Sequence, residues 1–176
     1  MKNYTIKSFN SKTPVIPKSC TIMDNVVICG DVVLGEECVI MPGVVIRAEH
    51  NQVVIGDKTN IQDLSCIHVE LGDNGGVTIG KCVTIGHGAI IHGCDIGDRS
   101  VIGMGAIIQD YATVEEECLI GAGTVVTSGT VIPKGCMAVG IPAKVRRPIT
   151  EGERADIDVA TNEYLEYARI YKEENN

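Results

Sequence analysis

Three histidines, His68, His87 and His92, are the residues of this 176-residue chain whose type and spacing could support metal chemistry. A neutral imidazole ligates zinc through one ring nitrogen at about 2.0–2.1 Å, and three imidazoles with a fourth position left open form the ligand set of a catalytic zinc site. A metal ion held in this way lowers the pKa of a bound water towards about 7. Whether the three rings can converge depends on the elements that carry them.

A six-residue repeat sets the positions of these side chains. An aliphatic residue recurs at every sixth position, with a slip after Ile46, a break at Gly72–Gly76 and one residue dropped after Ile91. A mostly small side chain follows four residues later, as at Ser65 and Ala89. This pattern predicts short flat strands, three of which close a triangular coil, with successive coils about 4.8 Å apart. The aliphatic positions are Ile16, Ile22, Ile28, Leu34, Ile40, Ile46, Ile55, Ile61, Ile67, Ile79, Ile85, Ile91, Ile96, Ile102, Ile108, Val114, Ile120, Val126, Ile132 and Ala138.

The repeat places two of the histidines in one column. If Gly72–Gly76 form a loop outside the repeat, Ile46, Ile67 and Ile91 lie on one face of successive coils, and the residues after them are Arg47, His68 and His92. Two imidazoles one sheet spacing apart can share a metal ion. The alternative is that these are unrelated surface histidines.

His87 belongs to the preceding face, with Asp63 directly beneath it in the coil below. A corner separates His87 from His92, so we expect the two rings to point away from different faces of one chain. A neighbouring subunit in a threefold assembly would bring His87 of one chain to the pair His68 and His92 of the next.

Composition supports a solenoid and excludes several classes of partner. The chain has 23 Ile and 21 Val but five Leu, one Phe and no Trp, which is typical of many short strands with uniform layers. Its 15 basic and 23 acidic residues give a net charge of −8, which argues against nucleic acid or an anionic membrane as the main partner. The polar N-terminal stretch lacks the features of a secretory signal and no apolar run approaches the length of a membrane span, so we expect a cytoplasmic protein.

The repeat stops after Gly140–Ala143, and a different kind of segment follows. We therefore divide the chain into a β-helix domain at 1–145 and a C-terminal helical segment at 146–176. Thr150 and Glu153 have the spacing of a helix capping box. Ala160, Tyr164, Tyr167, Ala168 and Tyr171 then follow at helical spacing, which predicts a helix that packs back along the solenoid.

The eight cysteines are predicted to be structural. Nothing in the sequence implies an oxidising compartment, and no C-x-x-C pair is present. The small inward position is occupied by Cys20, Cys38, Cys118 and Cys136. By the same count, Cys82 and Cys94 are expected to face outward.

Four segments resemble the gamma-class carbonic anhydrase family: VVIRAE (44–49), GDKTNIQDLSCIHV (56–69), TIGHGAIIHGCDIGD (84–98) and GIPAKV (140–145). The resemblance spans nearly the whole chain. It implies an all-β solenoid, a left-handed parallel β-helix of hexapeptide repeats with a C-terminal α-helix. It also implies reversible hydration of CO2 to bicarbonate by a homotrimer with metal sites between subunits. The ligands would be His68 and His92 of one chain and His87 of its neighbour, and the ion zinc, with iron or cobalt possible.

The resemblance also implies roles for other residues. Gln62 matches a glutamine that orients the metal-bound water, and its amide has both a donor and an acceptor for this task. Arg47 and Asp63 match a charged pair at the subunit interface, which could equally be a purely structural salt bridge. Tyr164 matches a tyrosine near the metal, although a packing role is an alternative. Asn60 could support the site, but we expect it to form a corner.

Two departures from the family pattern affect the expected turnover. The usual R-G-D reads Arg47-Ala48-Glu49, which makes Glu49 a further candidate for the site. The loop from Glu70 to Gly76 is short and lacks the acidic insertion that exports the proton. His50 and Glu70 are candidate substitutes, and His50 has the better intrinsic pKa for proton relay. Both could equally be ordinary surface residues.

Two other functions fit the same fold, because one scaffold can host several activities. An acyl-CoA thioesterase could use a metal-bound hydroxide against a thioester, and a hexapeptide-repeat acyltransferase would use one histidine as a base without a metal. The third possibility is a catalytically silent metal-binding trimer.

Overall fold

The hexads form strands and corners because each one buries one aliphatic side chain and then turns onto the next face of the triangular coil. A computed structural model describes residues 3–175. In most hexads the third residue after the inward aliphatic side chain has a positive φ, as at Lys58 (57°), Gly88 (66°) and Tyr111 (59°). The left-handed conformation at this point turns the chain through the corner. The hexapeptide repeat therefore encodes the corners as directly as the core.

Nineteen short strands and one helix follow in chain order through the described residues. The helix is α1 (Glu151–Asn175). The strands are β1 (Thr5–Lys7), β2 (Thr21–Ile22), β3 (Val27–Leu34), β4 (Val39–Ile40), β5 (Val45–Ile55), β6 (Asn60–Ile61), β7 (Cys66–His68), β8 (Val77–Ile79), β9 (Thr84–Ile85), β10 (Ile90–His92), β11 (Asp95–Ile96), β12 (Val101–Ile102), β13 (Ile107–Ile108), β14 (Thr113–Val114), β15 (Leu119–Ile120), β16 (Val125–Val126), β17 (Val131–Ile132), β18 (Cys136–Val139) and β19 (Lys144–Pro148).

The strands stack in parallel on three faces. The first face carries the start of β3, the start of β5, then β7, β10, β13 and β16; the second carries the ends of β3 and β5, then β8, β11, β14 and β17. The third face runs β2, β4, β6, β9, β12, β15 and β18, with β19 antiparallel at its edge. The predicted left-handed parallel β-helix with a C-terminal helix is confirmed, with about seven turns.

The core is a stack of isoleucines inside this triangular wall. Every inward isoleucine from Ile28 to Ile132 is almost fully buried. Cys20, Cys38 and Cys118 are buried as predicted, and Cys136 is half-buried against the same core. The outward placement of Cys94 was wrong: its side chain is buried, and burial raises the pKa of its thiol to about 12. Cys82 is half-buried.

Two departures from the hexad interrupt the lower coils. β3 and β5 pair through Gly30–Ala48 and then Val32–Val53, so that residues 49–52 bulge out of the wall. Gly30 has a φ of 87°, and a Cβ there would lie 2.1 Å from the carbonyl oxygen of Ala48, so only glycine fits. The segment 71–76 forms a second loop outside the repeat, as expected, and Val77–Ile79 resume the wall.

The C-terminal helix begins at the predicted capping box. The Thr150 backbone N–H donates to Glu153 Oε2 at 2.8 Å, and the Glu153 N–H donates to Thr150 Oγ1 at 3.2 Å. Arg154 pairs with Glu117, and Arg99 pairs with Asp158, so the start of α1 is tied to the upper coils. Further along, Ala168 packs with Val39 and Met41 of the third face.

The helix packs back along the solenoid as predicted, and the face it buries agrees only in part with the predicted spacing, because Ala168 is buried and Ala160 and Tyr164 are half-buried. Ile157, Thr161 and Ala168 are its buried residues, whereas Tyr167 and Tyr171 are exposed. β19 spans the proposed boundary at residue 145, so the division of the chain there stays a prediction. Residues 1–2 and 176 of the two predicted segments lie outside the described part of the chain. Among residues 3–175 the structure has no helix that is apolar enough over a sufficient length to cross a membrane.

Candidate metal centre

β7 and β10 bring two histidines together on the first face. The parallel register pairs His92 with His68 and His68 with Arg47, which is the predicted column. We call Arg47, His68 and His92 the site column. The ring centroids of the two histidines lie 5.0 Å apart, and His68 Nδ1 lies 2.9 Å from His92 Nε2.

A carboxylate holds the outer nitrogen of each ring in the site column. His68 Nε2 lies 3.1 Å from Glu49 Oε2, and His92 Nδ1 makes a short hydrogen bond to Asp110 Oδ1. A carboxylate accepts hydrogen bonds, so each outer nitrogen carries the proton and donates it. In the neutral rings the two inner nitrogens would therefore face each other as lone pairs. That arrangement requires a cation between them, either a proton or a metal ion.

Charge and burial around Glu49 favour this arrangement. Burial opposes the ionisation of Glu49, but the neighbouring Arg47 guanidinium outweighs it and holds the pKa of the carboxyl below its ordinary value. Burial, assisted by the positive charge of Arg47, lowers the pKa of His68. A lowered pKa favours the neutral ring, which is the form that ligates a metal.

His87 stands at the corner that follows β9, where the third face meets the first. Its Nδ1 donates to Asp63 Oδ2 at 2.8 Å, which confirms the predicted stacking of His87 on Asp63 and leaves Nε2 unprotonated. About half of its side chain is exposed. The three histidines do not form a single cluster in the described chain, where the one group of metal-ligating atoms within 4.8 Å of one another is Glu70, His92 and Asp110.

Gln62 and Asn60 lie on the third face beside this corner. The prediction that Asn60 forms a corner was wrong, because Asn60 belongs to β6 and is buried, while the corner residue with positive φ is Lys58. Asn60 Nδ2 donates to Thr84 Oγ1 at 2.9 Å, and Gln62 Nε2 donates to Asn60 Oδ1 at 3.4 Å. The chain thereby fixes the orientation of the Gln62 amide.

Tyr164 of α1 lies over the same corner. A cavity of about 420 Å³ opens between the helix and the third face, lined by Met41, Asp63, His87, Tyr164, Tyr167, Ile170, Tyr171 and Glu174. Burial, followed by the negative charge of Asp63, raises the pKa of Tyr164. The cavity is thus walled mainly by aromatic and aliphatic groups and has the His87–Asp63 pair at its edge.

The remaining candidates lie close to the site column or on the surface. Within the chain Arg47 pairs with Glu49 rather than with Asp63. Glu70 Oε2 lies 3.9 Å from His92 Nδ1, whereas His50 is exposed. Asp110 is the contact that the sequence reasoning missed. The register could have indicated it, because Ile108 pairs with Ile91 and so places residue 110 one coil from His92.

Apolar side chains are exposed around the corner that carries His87. Leu64, Met104 and Ile90 are 75%, 58% and 43% exposed. Leu64 follows Asp63, while the Gly105 N–H that follows Met104 donates to the His87 carbonyl. His87 is therefore surrounded by apolar surface whose burial is energetically favourable.

Comparisons with known proteins agree with the fold. A family described as bacterial transferase hexapeptide (six repeats) matches residues 13–48, and one described as hexapeptide repeat of succinyl-transferase matches 76–109 and 111–137. A carbonic anhydrase of Geobacillus kaustophilus is 41% identical over 95% of this chain and 91% of its own length.

Two further relatives show the range of names on this fold. The mitochondrial gamma carbonic anhydrase 2 of Arabidopsis thaliana is 34% identical over 99% of this chain, which spans 64% of that protein's length. A crystal structure of a Bacillus cereus protein, assigned as an acetyltransferase, superposes with a TM-score of 0.95 and 38% identity, covering 98% of this chain and 99% of that one.

Proposed function

The chain belongs to the gamma carbonic anhydrase-like family of hexapeptide-repeat proteins, and on that premise we propose that it catalyses the reversible hydration of CO2 to bicarbonate. The proposed site is a metal ion bound by His68 and His92 of one subunit and by His87 of a neighbour in a homotrimer. We propose zinc as the ion, with iron or cobalt as alternatives.

The observation that carries this proposal is the pair of inner ring nitrogens. Two nitrogens bound to one zinc at about 2.0–2.1 Å in tetrahedral geometry lie about 3.3 Å apart. His68 Nδ1 and His92 Nε2 are 2.9 Å apart, so a small rotation of the rings would admit an ion. Their outer nitrogens are held by Glu49 and Asp110, the type of second contact that orients metal-ligating histidines. The residues present therefore fit the metal.

The third ligand supports the trimer. His87 offers Nε2 as a ligand because Asp63 accepts the Nδ1 proton. Among the described residues of the same chain, His87 is not grouped with the other two histidines. The exposed Leu64, Ile90 and Met104 surround it and would be covered by a neighbouring subunit. A threefold arrangement would place this corner against the site column of the next chain and complete three sites.

In the reaction a water oxygen adds to the carbon of CO2 and one proton leaves to solvent. A bound metal ion would supply a water whose pKa is lowered towards about 7. Gln62, held by Asn60, orients that water through its amide. Glu49 and Asp63 keep the protons of His68 and His87 on the nitrogens that do not ligate. Tyr164 and the apolar cavity wall exclude bulk water from the approach of CO2.

Proton export is the step for which the chain offers the fewest groups. Glu70 lies beside the site column and has a partly exposed carboxylate, so we propose it as the first acceptor, ahead of the exposed His50. Arg47 is proposed to maintain the negative charge of Glu49 and to pair with Asp63 of a neighbour. The cytoplasmic location also remains a proposal, consistent with eight free cysteines.

Stopped-flow CO2 hydration on protein purified without oxygen, with the metal content of the same sample, tests the function. We expect one metal per chain, a trimer in solution and hydration well above the uncatalysed rate. His87→Ala should remove metal and weaken the trimer together. A metal-loaded trimer without hydration would refute the proposed activity, and a variant that keeps both metal and trimer would refute the intersubunit site.

The second candidate is cleavage or transfer of an acyl group carried by coenzyme A. The observation in its favour is the cavity of about 420 Å³ beside His87, which is larger than CO2 requires, together with the acetyltransferase assignment of the Bacillus cereus protein. Release of free thiol from acetyl-CoA by the same metal-loaded sample would favour it. Metal without either activity would leave a catalytically silent metal-binding trimer.

A further inference from the structure

Asp110 contacts His92, one of the two proposed metal ligands in the site column, from the coil above. It lies two residues after Ile108, at the corner between β13 and β14, and its Oδ1 accepts a hydrogen bond from His92 Nδ1. The His92 and Asp110 side chains are each about one-third exposed, so the bond is partly shielded from water. Neither the hexad pattern nor the family resemblance assigns Asp110 a role.

The backbone holds this carboxylate in place from two sides. The Asp110 carbonyl accepts from Ser128 Oγ at 2.7 Å and from the Gly129 N–H at 3.0 Å. The next residue, Tyr111, donates its N–H to the Gly93 carbonyl at 2.7 Å. Asp110 is thereby fixed to the coil above it and to the turn that follows His92 below it.

The position of the proton on His92 decides which nitrogen is free to ligate. A neutral imidazole has one N–H and one lone pair, and the hydrogen bond made by one nitrogen determines the tautomer. With Asp110 accepting from Nδ1, the lone pair is on Nε2, which faces His68 Nδ1 at 2.9 Å. Without that acceptor, the ring is free to rotate or to carry its proton on the ligating side.

We propose that Asp110 is a positioning residue for the metal ion: it fixes the tautomer and ring orientation of His92 so that Nε2 converges with His68. This inference rests on the proposed function, because it assigns the ion to the space between the two inner nitrogens. The competing arrangement is an ion on the Nδ1 side of His92, bound directly by Glu70 and Asp110.

The first test is the protonation of His92 in the metal-free protein. Imidazole ¹⁵N NMR of the wild-type chain should show a proton on Nδ1 in a hydrogen bond. Asp110→Ala should remove that signature, and Asp110→Asn, which retains a carbonyl acceptor, should keep the Nδ1 proton with a weaker bond. An unprotonated Nδ1 in the wild-type protein would overturn the proposal.

The second test is zinc affinity, measured by competition with a chelator. Loss of an outer partner of a ligating histidine typically weakens metal binding about 10- to 100-fold, which is the expected effect of Asp110→Ala. Asp110→Asn should recover most of the loss. Asp98 is the matched control, because it occupies the same place two residues after an inward isoleucine, and its Oδ1 accepts from the Lys81 N–H at 2.8 Å. Asp98→Ala should leave zinc affinity unchanged.

The outcomes separate this proposal from the proposed function. If Asp110→Ala binds zinc as tightly as the wild-type protein, or if Asp98→Ala loses as much zinc affinity as Asp110→Ala, the proposed role of Asp110 is overturned. Either result leaves the proposal of CO2 hydration unaffected. If Asp110→Ala loses zinc while His68→Ala retains it, Asp110 is a metal ligand, and the proposed positioning role is also overturned. A wild-type protein that binds zinc but does not hydrate CO2 would refute the activity, and a selective affinity loss in Asp110→Ala would still support the positioning role.

Discussion

The lower and upper coils of the solenoid share one backbone plan but differ in chemistry. From Ile96 to Ala138 the hexads run without interruption, and the site column continues there as Gln109 and then Thr127, by the register of Ile91 with Ile108 and of Ile108 with Val126. In the lower coils two insertions break the repeat, the bulge at 49–52 and the loop at 71–76. Those breaks, and not the column itself, distinguish the site.

Each break brings an acidic side chain to a histidine. The bulge begins with Glu49, whose carboxylate reaches His68, and Glu70 precedes the loop and lies near His92. An uninterrupted hexad presents one outward row per strand, so it offers a ring the residues directly above and below and, across a corner, a diagonal neighbour such as Asp110. Interruptions add a side chain from beside the row. The comparison teaches that the parallel register provides the spacing of the ligands, whereas the carboxylates that orient them come from both kinds of coil, Glu49 from the bulge and Asp110 from the regular coil above His92.

The largest effect should follow from removing a ligand in the lower coils. We expect His68→Ala to abolish metal binding and to reduce CO2 hydration to the uncatalysed rate, because His92 alone cannot close a site. Gln109→Ala, one coil above His92 in the same column, is the matched control and should leave both unchanged. Metal content and stopped-flow hydration measure the two effects. Metal retained by His68→Ala would move the site elsewhere.

A smaller and more general effect should follow from truncating the core. Ile120 in the upper coils and Ile67 in the lower coils are both fully buried, and each substitution to Ala should lower the free energy of unfolding by about 2–5 kcal/mol. Because coils contact mainly their neighbours, the consequences should stay local. Ile67→Ala, directly beside His68, should also weaken zinc binding, whereas Ile120→Ala, two coils above the coil of His87, should not.

Urea unfolding at fixed protein concentration and chelator competition measure these two quantities separately. Equal losses of zinc affinity in both variants would contradict the division into a regular and an irregular half. It would mean that strain passes through the whole stack.

The sequence predicted most of the wall and part of the site for a physical reason. Parallel pairing repeats the same spacing, so counting hexads was sufficient to place His92 above His68 and His87 above Asp63. Counting failed where a residue is dropped. Cys94 lies two residues before Ile96 and therefore takes the small inward position, which a forward count from Ile91 misses.

Diagonal contacts were also beyond the count. Asp110 reaches His92 across a corner, and Glu49 reaches His68 from the bulge, and both contacts depend on side-chain rotamers and on the path of an irregular segment. A period of six specifies neither. The tautomers of the histidines, and with them the direction of their lone pairs, could be inferred only once those carboxylates were placed.

The smallest effect should come from the junction that ties the start of the helix to the upper coils. Arg147 and the Thr150 backbone hold the pKa of Glu153 at about 2, below its ordinary value of 4.5. Because the folded-state pKa is depressed, the stabilisation is fully present above about pH 4.5 and is lost as the pH falls towards 2.

Thr150→Ala should lower the free energy of unfolding by roughly 1 kcal/mol, as for other N-cap residues. Glu153→Gln should lower the melting temperature at neutral pH, and its difference from wild type should shrink below pH 4.5. Zinc affinity should not change, because the capping box lies at the upper end of the solenoid and the site lies in the lower coils. A pH-independent difference would show that Glu153 acts through packing and not through its charge.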